Sequence, residues 1–179
     1  MIKQWKRAGI PLVLVGLAIA LLITVSFPTG TQAQTSEIIR YPIPDSDFPI
    51  ARAVELPADA KLVYVSGQVP PVVNSEVARD SVEAFGDTKT QTIGVLERIQ
   101  SILSDAGLTI GDVVKMQVFL VGDPASEDIM DFAGFMEGYT QFFGTESQPN
   151  LPARSAMQVA GLVNPGWLVE IEVIAAKQD

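Results

Sequence analysis

The sequence predicts an α+β fold in which two helices cover one face of a mixed β-sheet. Several segments between residues 50 and 176 alternate apolar and polar side chains with period two, as half-buried strands do. Two others carry apolar residues three or four positions apart, as amphipathic helices do. Their order, strand-strand-helix-strand-helix-strand-strand, is typical of one layer of helices packed on one sheet.

The N-terminus has the pattern of a secretory signal. Residues 1–7 are basic, residues 10–27 are almost wholly apolar, and Thr31 and Ala33 place small residues at the two positions that signal peptidase reads. We therefore expect a signal peptide over residues 1–33 and a periplasmic or secreted protein. The alternative is an N-terminal membrane anchor, because the apolar run approaches the roughly 20 residues that span a bilayer.

The composition excludes several kinds of site. The chain has no His and no Cys, which excludes disulfides, thiol nucleophiles and most transition-metal sites, and no metal site is predicted. The formal net charge is −9. Removal of residues 1–33 takes away three of the 12 basic residues and no acid, which leaves 9 basic and 21 acidic residues, a net charge of −12. Nucleic acid is therefore not an expected partner.

The rest of the chain has the length of a single domain. We expect residues 34–47 to form a lead-in that is either loose or ordered by contact with the domain, and residues 48–179 to form the domain. Strands are predicted over residues 50–54 and 61–69, the second ended by two prolines. Residues 71–86 are rich in Pro, Asn, Ser, Gly and acids, and are predicted to form an exposed loop that either rims a site or only covers a surface.

A first helix is predicted to begin at Asp87 or Thr88, with Gln91 completing a capping box with Thr88. Its core face is predicted from apolar residues at helical spacing: Ile93, Leu96, Ile99, Ile102 and Leu103. Gly107 is expected to end the helix.

A strand over residues 112–121 alternates apolar and more polar positions, and we expect it to be central in the sheet. A second helix is predicted over residues 129–143. Its aromatic residues are expected to pack in the core rather than to bind a cofactor.

Candidate site residues lie near the C-terminus. Arg154 is predicted to lie in a proline-containing loop, where a held guanidinium suits bidentate capture of a carboxylate. In the strand that follows Trp167, Leu168, Glu170, Glu172 and Ile174 share one face by the period-two rule. The alternative is that this face is solvent-exposed and that Arg154 forms a surface ion pair.

Five blocks of sequence resemble, in the same order, the RidA/YjgF family of reactive-intermediate deaminases. The resemblance runs from about residue 44 to residue 176, and the blocks are residues 66–70, 106–119, 132–143, 152–155 and 169–172. It implies a homotrimer whose sheets pack around a central axis, with active sites in the clefts between subunits. Leu168 and Ile174, on the uncovered sheet face, would give this assembly a physical basis. Trimeric bacterial chorismate mutase has a similar fold, so the fold alone does not choose the reaction.

The reaction implied by the resemblance is hydrolysis of 2-imino or 2-enamino acids to 2-oxo acids and ammonia, without a cofactor. Arg154 matches the family position that anchors the substrate carboxylate, and Glu170 matches the position that orients water. The strand end Ser66, Gly67 and Gln68 matches a wall of the pocket. Glu172 matches no chemical position, and an interface contact is expected for it.

The sequence departs from the familiar enzyme pattern at three pocket positions. Ile50 stands for a tyrosine, Met136 for an asparagine and Ala156 for a cysteine. These residues make the predicted pocket more apolar, so we expect a bulkier or more apolar substrate. One alternative function is a non-catalytic trimer that binds small carboxylates or acts like a chaperone. Another is a different hydrolysis or an isomerisation in the same pocket.

Overall fold

The computed structural model describes residues 37–123 and 127–177. The predicted signal peptide, residues 1–33, lies outside the described residues, as do the first three residues of the predicted lead-in. Within the described part of the chain, no helix is both long enough and apolar enough to cross a membrane.

The described residues form a sheet with two helices, and the predicted α+β fold is confirmed. The strands are β1 (Ile39–Tyr41), β2 (Ala53–Glu55), β3 (Lys61–Gln68), β4 (Val113–Asp123), β5 (Ile129–Met130), β6 (Ala153–Val159) and β7 (Val169–Lys177). The helices are α1 (Thr88–Asp105) and α2 (Phe132–Tyr139), and short 3-10 helices span Val82–Ala84 and Ile110–Asp112.

The main sheet is mixed, and β4 lies at its centre as predicted. β4 pairs with β7 in antiparallel fashion on one side and with β6 in parallel fashion on the other, and β3 pairs with the outer edge of β7. β1 and β2 form a separate antiparallel pair. Each strand of the β4–β7 pair therefore has a neighbour on both sides, which fixes the position of its side chains.

The two faces of β7 have different surroundings. Val169, Ile171 and Val173 face the helices and are buried in the core. Glu170 and Glu172 point to the opposite face, which no helix of the described residues covers, as the period-two pattern predicts.

The prediction for Leu168 is wrong. This residue precedes β7 and is buried in the core, so it is not available on the uncovered face. Its backbone amide donates a hydrogen bond to the side chain of Gln91 on α1 at 2.7 Å.

Helix α1 begins and ends close to the predicted residues. The side chain of Asp87 accepts a hydrogen bond from the amide of Thr90, so Asp87 is the cap, and Gly107 adopts φ 71° just after the last turn. The predicted capping box is wrong. Gln91 is fully buried, and its side chain bonds the carbonyls of Gly86 and Gly166 instead.

Helix α2 is shorter than the predicted 129–143. Residues 129–130 form β5, which pairs with the end of β4, and the side chain of Asp131 then caps the helix by accepting from the amide of Gly134. The predicted aromatic stripe does lie in the core, since Phe135, Tyr139 and Phe143 are almost completely buried.

The segment before β3 contains regular structure that contacts the domain. β1 lies within it, and the predicted strand 50–54 is observed as β2, shifted toward the C-terminus. The Arg40 guanidinium donates hydrogen bonds of 2.8–2.9 Å to the carbonyls of Gly111, Val113 and Leu151. These bonds tie β1 to the main body of the domain.

Residues 71–86 are not simply an exposed loop. They contain a 3-10 helix, and Ala84 and Phe85 are buried. Asn164 donates to the carbonyl of Arg79 at 2.9 Å, and Trp167 packs edge-on against Phe85. The loop is therefore attached to the segment that leads into β7.

Candidate active site

Arg154 lies within β6, not in a loop as predicted. It pairs with Met116 of β4, whose side chain faces the helices, so Arg154 also points to the helix-covered side of the sheet. Four aromatic rings surround its guanidinium carbon. The distances from this carbon to the ring centroids are 4.2 Å for Tyr139, 5.0 Å for Phe135, 5.6 Å for Phe48 and 5.9 Å for Phe132.

The charge of Arg154 has no carboxylate partner among the described residues. Its Nη2 donates to the sulfur of Met136 at 3.3 Å, and a thioether is a weak acceptor. Its Nη1 is buried and has no hydrogen-bond partner. Burial lowers the pKa of Arg154 from its ordinary value, and the neighbouring Tyr139 opposes this shift. A guanidinium in these surroundings favours an anionic ligand.

Tyr139 is a neutral wall of this site. Burial raises the pKa of its hydroxyl well above the ordinary value, although Arg154 acts in the opposite direction. The hydroxyl donates a hydrogen bond to the carbonyl of Pro49 at 2.8 Å. Tyr139 therefore stays protonated and does not neutralise the arginine.

Glu170 is positioned by a glycine on the neighbouring strand. β3 changes register against β7 between Val65 and Gln68, and Gly67 lies within this irregularity. A β-carbon built on Gly67 would overlap Oε1 of Glu170. Only a residue without a side chain leaves room for the carboxylate here.

The strand end predicted to line the pocket lies beside this carboxylate. The side chain of Gln68 donates to the carbonyl of Ser66 at 3.0 Å. Ser66 also borders a groove of about 360 Å³ on the uncovered sheet face, together with Tyr64, Lys115 and Glu172. Glu172 therefore borders this groove on the uncovered sheet face, and the interface contact expected for it remains a prediction.

Within one subunit, the structure does not bring Arg154 and Glu170 together. Arg154 shares the helix-covered side with Met116, whereas Glu170 pairs with Phe119 on the uncovered side. A single subunit therefore does not place the Arg154 guanidinium beside the Glu170 carboxylate.

The remaining predicted residues divide between two places. Met136 contacts Arg154, and Ala156 follows it on the same side of β6. Ile50 instead lines a separate depression of about 270 Å³ beside Arg40 and Tyr41. The substrate-binding roles of these residues remain predictions.

Sequence reasoning missed Phe48. Its ring contacts the Arg154 charge, yet it precedes the first predicted strand and belongs to no periodic pattern. No signal in the sequence singles it out. The described residues contain no group of three or more acidic side chains that could hold a metal ion.

Comparison with known proteins places this geometry in a family. The sequence model of the endoribonuclease L-PSP family matches residues 47–177. The putative reactive intermediate deaminase TdcF of Escherichia coli K12 is 37% identical over 134 residues, which is 75% of this chain and 91% of TdcF. The chain belongs to the RidA/YjgF family.

Two further comparisons support the same RidA/YjgF assignment. The 3-aminoacrylate deaminase RutC of Acinetobacter baylyi is 36% identical over 127 residues, 71% of this chain and 88% of RutC. The crystal structure of E. coli TdcF with bound serine superposes with a TM-score of 0.51 and 34% identity, over 78% of this chain and 97% of TdcF. The RidA/YjgF fold, a mixed sheet with two helices, is thus shared with TdcF.

Proposed function

We propose that the protein hydrolyses 2-imino and 2-enamino acids to 2-oxo acids and ammonia without a cofactor. The observation that carries this proposal is the Arg154 guanidinium, which is half-buried, has no carboxylate partner among the described residues and leaves Nη1 without an acceptor. A substrate carboxylate would supply the missing acceptor. Relatives named as deaminases, at 36–37% identity, support the reaction class.

Arg154 anchors the substrate in this proposal. A carboxylate can accept two parallel hydrogen bonds from a guanidinium, which fixes both its position and its orientation. The aromatic rings exclude water from the ion pair and strengthen it. Because a fixed substrate reacts far faster than a free one, this anchoring lowers the barrier without any covalent step to the protein.

Glu170 positions water in this proposal. An enamine first takes a proton at C3 and becomes an imine, whose protonated form has an electrophilic C2. Water adds to C2 while Glu170 accepts a proton from it, which gives a carbinolamine. The amino group then takes up a proton, the C–N bond breaks, ammonia leaves and the 2-oxo acid remains. The net reaction consumes one water for each imine.

We propose that the active site forms between subunits of a homotrimer. Two observations support this. Arg154 and Glu170 lie on opposite faces of the same sheet, so a single subunit cannot offer both to one small molecule. The uncovered face also exposes large apolar side chains, among them Tyr64 at 70% and Leu62 at 42%. Neighbouring subunits would cover these side chains.

The pocket favours an apolar substrate side chain. Met136 and Ala156 offer no strong hydrogen-bonding group on the Arg154 side, and the rings around the guanidinium are apolar. We therefore propose that the preferred imino acids carry bulky or apolar side chains.

We also propose that the protein is exported after cleavage following Ala33. The basic start, the apolar run and the small residues at the cleavage site support this. N-terminal sequencing of the protein isolated from its native cells tests it. A mature chain that begins at Gln34 is expected, whereas an intact Met1 in a membrane fraction would indicate an anchor.

An amino-acid oxidase assay tests the reaction. The oxidase generates 2-imino acids in situ, and their decay is timed with the wild-type protein and with Arg154→Ala. We expect faster decay that the substitution abolishes. If wild type binds 2-oxo acids through Arg154 but accelerates no decay, the protein is a binding protein and the proposed reaction is wrong.

A further inference from the structure

Phe48 differs from the other rings around Arg154 in its exposure. Phe135 and Tyr139 are completely buried and Phe132 is half-buried, whereas 41% of Phe48 remains exposed. The Phe48 ring centroid is 5.6 Å from the guanidinium carbon. Phe48 is therefore the most accessible ring to a molecule that reaches the guanidinium from solvent.

The backbone holds Phe48 in place. Its carbonyl accepts a hydrogen bond from the amide of Ile50 at 2.7 Å, and its amide donates to the hydroxyl of Ser46 at 3.2 Å. The next residue, Pro49, accepts the hydrogen bond from the buried Tyr139 at 2.8 Å. The ring is thus presented by a fixed turn, which reduces the entropy lost when a ligand packs on it.

The geometry of a 2-imino acid brings its side chain to this ring. The side chain begins on the carbon next to C2, and C2 is bonded directly to the carboxylate. When the carboxylate binds Arg154, the first side-chain atoms of the substrate lie only a few bond lengths from the guanidinium. The Phe48 ring lies at a similar distance, with its centroid 5.6 Å from the guanidinium carbon. A flat side chain can then stack on the ring or meet its edge.

We propose that Phe48 is a specificity residue that selects imino acids with aromatic side chains. This inference rests on the function proposed above and narrows its substrate class. The contribution of an aromatic pair beyond simple burial corresponds to roughly a two- to tenfold preference. Phe48 takes no part in proton transfer, so it acts on substrate choice and not on the reacting atoms.

The test compares two substrates in four proteins. Imines are generated from phenylalanine and from alanine, and the ratio of their kcat/KM values is measured for wild type, Phe48→Leu, Phe48→Tyr and Tyr41→Leu. Phe48→Leu keeps an apolar side chain but removes the ring, and Phe48→Tyr keeps the ring. Tyr41→Leu is the matched control, since it removes a ring of the same segment that is equally exposed, at 42%.

We expect the ratio to fall roughly two- to tenfold in Phe48→Leu and to stay unchanged in Phe48→Tyr and Tyr41→Leu. Turnover of the alanine-derived imine should remain at the wild-type level in Tyr41→Leu, and dividing by it in each protein removes any general effect of Phe48→Leu on the Arg154 site. An unchanged ratio in Phe48→Leu, or an equal loss in Tyr41→Leu, would overturn the assignment.

A binding measurement separates this inference from the proposed reaction. Affinities for phenylpyruvate and pyruvate, the corresponding 2-oxo acids, are measured by calorimetry with the same proteins and with Arg154→Ala. If wild type hydrolyses no imine, the proposed reaction is wrong. Tighter binding of phenylpyruvate that requires both Phe48 and Arg154 would then still support the role of Phe48. Equal affinities, or no binding, would overturn it.

Discussion

The carboxylate of Glu170 lies directly over the α-carbon of Gly67, in space that the β-carbon of any other residue would occupy. The contact crosses the β3–β7 pair at the point where its register changes. The glycine therefore determines where the proposed water-positioning group can be, although it carries no functional group itself.

Gly67→Ala is expected to lower kcat by about 100-fold, because displacement of a reacting group by about 1 Å has an effect of this size. The affinity for 2-oxo acids should change little, since the proposed anchor is Arg154 and not Glu170. Steady-state kinetics and calorimetry measure the two quantities. Gly161→Ala is the control, because a β-carbon at Gly161 meets nothing within 4 Å. Equal activity of the two variants would separate Glu170 from catalysis.

Mixed trimers should recover activity from two inactive variants. If each site takes Arg154 from one subunit and Glu170 from its neighbour, Arg154→Ala and Glu170→Gln subunits co-expressed in equal amounts complement each other. Random assembly makes about one quarter of the sites intact, so roughly one quarter of the wild-type activity is expected. Each variant alone is the control. Activity that stays at the level of the separate variants would place at least one of the two groups outside the site.

Arg154→Met should abolish activity without destabilising the fold. Burial lowers the pKa of Arg154, so at neutral pH the charged form is less favourable in the folded than in the unfolded chain. Contacts with the aromatic rings offset part of this cost. The free energy of unfolding should therefore stay the same or rise by up to about 1 kcal/mol. Urea denaturation at a fixed protein concentration measures it. A marked loss of stability would mean that the ring contacts outweigh the burial cost.

The Asp87 cap of α1 should make a pH-dependent contribution to the free energy of unfolding. Hydrogen bonds from the side chain and then the backbone amide of Thr90 lower the pKa of Asp87 below its ordinary value of 3.8. Because the pKa of Asp87 is lower in the folded chain than in the unfolded chain, the cap stabilises the fold fully when the pH is above the unfolded pKa. This stabilisation is lost as the pH falls through the folded-state pKa. Asp87→Ala should cost about 1 kcal/mol at pH 7.

The control for this cap is Asp87→Asn, which keeps a capping oxygen but does not titrate. Urea titrations of the three proteins at pH 7 and at pH values below 3.8 separate the contribution of the capping hydrogen bond from that of the Asp87 charge. The gap between wild type and Asp87→Ala should narrow in acid, whereas the gap between Asp87→Asn and Asp87→Ala should persist. Parallel behaviour of wild type and Asp87→Asn would show that the charge is irrelevant.

Gln91→Leu should destabilise the start of β7. The substitution removes two hydrogen bonds. The Gln91 side chain donates one to the carbonyl of Gly166 at 3.0 Å and accepts the other from the amide of Leu168 at 2.7 Å. Each buried group left unpaired costs roughly 1–3 kcal/mol. Gln100→Leu, on the exposed side of the same helix, is the control and should have little effect. Hydrogen exchange at the Leu168 amide gives the local readout, and unchanged protection there would contradict the prediction.

Much of the fold could be predicted where one physical pattern dominates. The alternation in β4 and β7 predicted which side chains of these strands face the core, because both strands have a buried and an uncovered face. The start of α1 at Asp87 and its end at Gly107 followed from capping chemistry. These features depend on neighbouring residues in the sequence.

The errors arose where distant contacts decide the structure. Gln91 has the spacing of a capping box, but it bonds Gly166 and Leu168, which are more than 70 residues away. Residues 129–130 continue the helical pattern, yet they pair with β4 because Gly122 lets the carbonyl of Asp128 approach closely.

The geometry of the candidate site also depends on contacts between residues that are distant in the sequence. Arg154 and Glu170 could be named from the sequence, but the sheet face of Arg154 depends on its pairing with β4. The contact between Phe48 and Arg154 joins residues 106 positions apart with no shared motif. Such neighbours become visible only in three dimensions.

The strict alternation of β7 makes the proposed chemistry inseparable from folding. A slip of this strand by one residue would bury Glu170 and Glu172 among the helices and expose Val169, Ile171 and Val173 to water. A chain with Glu170 on the wrong face would therefore not fold stably, because it could not complete its core. The register that buries the core residues of β7 is therefore the same register that places Glu170 on the uncovered face.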